Sequence, residues 1–136
     1  MSNEEELQKL AYEAQYLQQQ AQEMQRQLQQ AVLLINNIDS TDKTIDGLSG
    51  MKEETYFQIG SDAFVKARPS ENGRVLIDVG ASALMEKEPH DAKDILKKRK
   101  AQLEKALETL RRNLDKINKR LMEIDGKAEE LQAGQQ

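Results

Sequence analysis

LKKRKAQLEKALETLRRNLDKINKRLMEIDGKAEEL, residues 96–131, is the stretch whose reading decides the fold. Leu96, Leu103, Leu107, Leu110, Leu114, Ile117, Leu121, Ile124, Ala128 and Leu131 recur in alternating steps of three and four, and only Lys100 interrupts the row. A period of 3.5 residues places one apolar stripe along an α-helix and makes it half of a coiled coil. The N-terminal third repeats the pattern. Leu7, Leu10, Ala14, Leu17, Ala21, Met24, Leu28, Ala31, Ile35, Ile38 and Ile45 keep the same alternation, with Asp42 the polar exception. The chain is 38% apolar, so two rows this nearly complete do not arise from composition.

The two rows predict helices over residues 1–50 and 89–136. Ser2, Asn3 and the glutamates that follow suit a helix start, because side-chain oxygens accept from free amides and anions favour the positive end of the helix dipole. The stop belongs near Gly47 to Gly50. Pro89 fits the first position of the second helix, with Asp91 and Asp94 close by, and that helix should fade near Gly134. Arms of matched length can fold back on one another with their ends flush. If Leu7 faces Leu131, then Leu10 meets Ala128, Ala14 meets Ile124, Ala21 meets Ile117 and Ala31 meets Leu107, so each small seam residue has a large partner. Asp42 and Lys100 then lie one turn apart and can pair. Charge favours the same arrangement: residues 1–50 carry three basic and eight acidic side chains, residues 91–136 twelve basic and nine acidic.

Residues 51–88 have another period. ETYFQI (54–59), AFVKAR (63–68), RVLIDV (74–79) and ALMEK (83–87) are short, rich in β-branched and aromatic residues, and separated by Gly60, the Pro69–Gly73 turn and Gly80–Ser82. They predict two β-hairpins. Val75, Ile77 and Val79 share one face and Leu76 takes the other. So small a sheet is marginal alone and has open edges, so it should join strands of other subunits. The fold class is α+β: a long antiparallel coiled-coil hairpin joined by a central oligomerisation body of two β-hairpins.

The chemistry that is missing is informative. Cysteine is absent, which removes disulfides and thiolate catalysis. The lone histidine, His90, has no cysteine or carboxylate set at ligand spacing, so no metal is expected. Gly47, Gly50 and Lys52 do not match a phosphate-binding loop, and no serine sits in a nucleophile elbow. Neither an enzyme nor a cofactor is expected. The run Lys97–Lys100 winds around a helix in a chain of pI about 5.2, and reads as a solvated face and not a nucleic-acid site. No apolar run approaches the length of a membrane span and no secretion signal is visible, so the expected location is cytoplasmic.

What remains is concentrated at the helix ends. Tyr12 and Tyr16 lie off the seam on one outward face, and Leu7, Leu10, Ala128 and Leu131 sit where a two-helix coil frays and exposes apolar side chains. These six residues are the candidate contact residues at the free ends.

The stretch VLIDVGASALMEKEPHDAKDILKKRK at Val75–Lys100, together with YFQIGSDAFVKA at Tyr56–Ala67, resembles the α class of prefoldin subunits, the archaeal α subunit and its eukaryotic counterparts. With the arms included, the resemblance covers essentially the whole chain. It implies a hexamer of two α and four β subunits whose hairpins form a β-barrel platform, with coiled coils hanging from it. It implies an ATP-independent holdase that captures nonnative or nascent polypeptides and passes them to a group II chaperonin. On matched strand positions, Phe57, Ile59, Phe64, Val65, Val75, Ile77 and Val79 would build the platform. The rival class is a coiled-coil scaffold or adaptor without chaperone activity; periodicity alone does not separate the two.

Overall fold

The computed structural model describes residues 2–49, 51–70 and 72–134. Helix α1 spans Asn3–Leu48 and α2 spans Pro89–Ala133; between them come β1 (Thr55–Gly60), β2 (Ala63–Ala67), β3 (Val75–Asp78) and β4 (Leu84–Lys87). Ser2 Oγ accepts from the Glu5 amide at 3.3 Å, and Glu4, Glu5 and Glu6 fill the first turn of α1. The first satisfies a free amide of that end, and the second places negative charge at the positive end of the helix dipole. Pro89 opens α2 as expected. α1 stops at Leu48, within the Gly47–Gly50 stop, although Gly50 itself lies outside the described residues, as does Glu71 in the β2–β3 turn.

Packing divides the chain into two units, one made of α1 up to Leu33 with α2 from Leu103, the other of Leu34–Gln102. In the first unit the helices run antiparallel. Arg120 on α2 reaches Glu13 on α1 at 2.7 Å, and the Asn3 amide lies against Gly134, so the two ends are flush. Every seam residue from Leu7 to Ala31 and from Leu103 to Leu131 is buried or half-buried, and Ile124 is only 3% exposed. Burial therefore follows the heptad row, as knobs-into-holes packing requires.

In the second unit the remaining segments of α1 and α2 also run antiparallel, and the two hairpins follow and precede them. β1 pairs antiparallel with β2, Phe57 opposite Val65, with a bulge between Gln58 and Gly60. β3 pairs antiparallel with β4, Ile77 opposite Met85. Each pair is a separate two-stranded sheet. The core of the unit is Ile45, Ile77, Ala92 and Leu96, with Ile38, Val75 and Ile95 packed around it. Ala92 is fully covered, and its small side chain is what lets a β3 residue and an α1 residue meet over the first turns of α2.

The expected Asp42–Lys100 pair does not form. Lys100 Nζ instead donates to Asp39 at 2.7 Å, while Asp42 stands 4.0 Å from Lys93, whose Nζ is 2.5 Å from Asp46. The reason is the length of the lysine stem. A lysine at a seam position keeps its methylenes over the apolar stripe and carries its ammonium sideways to the nearest carboxylate off the seam. Hydrogen bonding to Asp46 holds the Lys93 pKa above its ordinary value against desolvation, with the charges of Asp42 and Asp46 adding in the same direction.

Candidate functional site

The paired ends of α1 and α2 form a surface built from small residues. Ala11, Ala14 and Ala128 lack the bulk to fill the space between the helices, so a groove opens there, with Leu7 at its side and Leu10 and Ile124 buried beneath it. Gln8, Asp125 and Gln132 form its lip. The other side of the seam is closed by charge. Arg120 donates through Nε and Nη2 to both Glu13 oxygens, at 2.7 and 2.9 Å, and through Nη1 to Glu123 at 3.1 Å. This fork fits a carboxylate in two-point geometry. The hydrogen bond from Arg120 holds the Glu13 carboxyl below the usual carboxylate range against desolvation, with the Arg120 charge adding in the same direction as the hydrogen bond.

Of the residues singled out at these ends, Leu7, Leu10 and Ala128 share the groove. Leu131 is half-buried on the seam outside its lining. Tyr12 and Tyr16 are exposed, at 67% and 59%, and the Tyr16 hydroxyl accepts from Gln20 at 2.9 Å. Sequence reasoning passed over Ala11 and Asp125, and read Ala14 and Ile124 only as seam partners. Three alanines clustered within two turns of facing helix ends were the available signal. Met122, one turn before Asp125 and the most exposed large apolar side chain at 74%, was also missed.

The hairpins offer the second surface. Cross-strand partners share a face, so in the first hairpin Phe57 with Val65 lies on one side and Tyr56, Lys66, Gln58 and Phe64 on the other. Ile59 sits at the bulge. Phe57 is half-buried, whereas Tyr56, Ile59, Phe64 and Val65 are exposed. Apolar groups therefore stand uncovered on a sheet of two strands, which has little stability by itself. In the second hairpin the two faces separate. Val75 and Ile77 turn onto the helices, while Leu76 and Leu84 stand exposed on the opposite face and Val79 is partly exposed at the end of β3. Ile77 is thus occupied in the core of its own chain and is not on a free face. Leu76 was expected on the face opposite Val75, as found, whereas the exposed Leu84 and Met85 were not singled out from the sequence. Strands with apolar residues on both faces were the signal.

The second hairpin is fixed by polar contacts as well. Arg99 Nη2 donates to the Asp78 carbonyl, and Arg74 reaches Glu88 at 3.2 Å. Two of the four residues in the basic run, Arg99 and Lys100, are therefore engaged within the unit. His90, Asp91 and Asp94 bring donor atoms within 4.8 Å of one another, a grouping that sequence spacing did not single out. All three are exposed at the positive end of the α2 dipole, which disfavours a cation, and His90 contacts Asp94 at 3.4 Å. Among the described residues no helix is long and apolar enough to cross a membrane.

Comparison with known proteins agrees with this geometry. The family model of the prefoldin subunit matches residues 17–134. The prefoldin subunit alpha of Pyrococcus horikoshii is 30% identical over 136 residues, covering 98% of this chain and 92% of its own. That of Methanosarcina barkeri is 31% identical over 135 residues, covering 96% and 94%. In structure, the chain is similar to a cryo-EM structure of filamentous PFD from Methanocaldococcus jannaschii, with a TM-score of 0.75, 15% identity, and coverage of 87% of this chain and 99% of that one.

Proposed function

Since the chain belongs to the prefoldin subunit family, in the alpha class of that family, we propose that it works as one subunit of an ATP-independent holdase. In this reading it assembles with prefoldin β subunits, two α with four β, captures nonnative polypeptides at its helix ends, and hands them to a group II chaperonin. Assembly uses the apolar groups that the chain leaves exposed on its hairpins, Ile59, Phe64, Val65 and Val79, with the half-buried Phe57 beside them, while Val75 is packed against the helices. Ile77 serves assembly indirectly, by holding the second hairpin on the helices. Capture uses Leu7, Leu10, Tyr12, Tyr16, Ala128 and Leu131.

The observation that carries this reading is the groove at the paired helix ends, an apolar floor reachable from solvent. A holdase needs no catalytic group. It needs several weak apolar contacts at high effective concentration, which retain a chain with exposed apolar patches and have nothing to grip on a folded protein. Weakness per contact allows release. The test is removal of residues 1–16 and 124–136 from the chain assembled with its β partner. The assembled mass should stay unchanged by light scattering, while suppression of aggregation of a denatured unrelated protein without ATP should disappear. Normal suppression by the shortened form would refute the assignment and favour a scaffold.

A further inference from the structure

Resting on that client-holding reading, we infer that the groove between the helix ends prefers nonnative segments in which apolar residues are interspersed with lysine or arginine. The floor supplies the apolar half of the match. Ala11, Ala14 and Ala128 leave room for a side chain of the bound segment above the buried Leu10 and Ile124. The rim supplies the charge. Asp125 stands on the lip itself. Glu129 follows Asp125 by four residues and Glu4 precedes Gln8 by four, so helical spacing puts both on the same side as the lip, and both are exposed.

Among the described residues, no lysine or arginine beside the groove falls on this side. Lys9, Lys119 and Lys127 fall on other faces of their helices by the same spacing, and Arg120 is directed to Glu13 and Glu123 across the opposite side of the seam. Carboxylates bordering an apolar depression are less screened than those in open solvent, so they attract a cation held against the floor and repel an anion. Gln8 and Gln132 provide amides for the backbone of an extended segment.

The test uses the full-length chain assembled with a β-class partner and three labelled, unstructured peptides of equal leucine content whose remaining positions are lysine, serine or glutamate. Binding is read by fluorescence anisotropy at low salt. The lysine peptide should bind roughly tenfold tighter than the glutamate peptide, with serine between, and the spread should shrink as salt rises. In the triple variant Glu4→Gln, Asp125→Asn, Glu129→Gln, the lysine and glutamate peptides should converge to within about twofold while the serine peptide is unchanged. Ala11→Leu, which fills the groove without altering charge, should weaken all three. Equal affinities for lysine and glutamate peptides in the wild type, or a preference that survives the triple variant, overturn the inference while leaving the holdase reading intact. Binding of none of the three overturns both. A change in assembled mass on Ala11→Leu would mean that a second copy or partner subunit covers the groove, and would overturn the inference as well.

Discussion

Ala81 and Ser82 show how much a single turn can hold back stability. Both have positive φ, 51° and 61°, at the tip of the second hairpin, and the adjoining Gly80 is at 116°. A two-residue turn with both φ positive matches the twist of the flanking strands, but it costs a side-chain-bearing residue energy that asparagine or glycine avoids. Replacing Ala81–Ser82 with Asn–Gly should stabilise the chain by about 1 kcal/mol, seen as a higher urea midpoint at unchanged slope; an unchanged midpoint would speak against the turn geometry. Glu13 makes a second prediction. Its carboxyl pKa is lowered on folding, chiefly by the hydrogen bond from Arg120. A lowered acid pKa contributes stability above the ordinary carboxylate range and loses it as pH falls through the depressed value. Glu13→Gln should therefore melt below wild type at neutral pH, and the gap should narrow as pH falls below the ordinary carboxylate range. A gap that stays constant as the pH is lowered would show that the fork with Arg120 is not responsible.

At the scale of elements, the alternation of three and four specified both helices because a seam leaves its period in the sequence whatever its partner. Strand limits were legible to within a residue for a similar reason: Gly60 closes β1, Pro69 to Gly73 separates β2 from β3, and Gly80 lies between β3 and β4. What strand periodicity does not carry is the identity of the surface each face meets. Alternation put Val75 and Ile77 on one side of β3, but the packing of that side on Ile45, Ala92 and Leu96 depends on a fully covered alanine in another element. The consequence is measurable. Ile77→Val should cost about 1 kcal/mol and Ile77→Asp about 3 kcal/mol or more, from a cavity in one case and an unpaired buried charge in the other. Loss of helical signal and of thermal stability in Ile77→Asp is the expected result. Full stability with assembly alone impaired would return Ile77 to a subunit interface.

For the molecule as a whole, the contrast with Ile77 is Phe64, which is 58% exposed and packs into no core of its own chain. Phe64→Asp should leave helicity intact and lower the assembled mass measured by light scattering; an unchanged mass would exclude this face from assembly. The candidate capture site was legible in part. Leu7, Leu10 and Ala128 could be found as seam residues close to helix ends, because fraying is a property of ends. Ala11 and Asp125 could not, because a depression between helices depends on which small residues face one another across the register, and Leu131 falls outside it for the same reason. The salt pairs were less legible still. Long side chains choose partners off the seam, so Lys100 meets Asp39 and not Asp42. The central claim is that nonnative chains are held at the paired helix ends. Its most direct measurement places a photo-crosslinking residue at Ala11 or, separately, at the exposed Gln30 of α1 in the assembled protein presented with a denatured client. Crosslinks to client from position 11 and few from position 30 are the expected result; equal crosslinking from both, or crosslinking from position 30 alone, would contradict it.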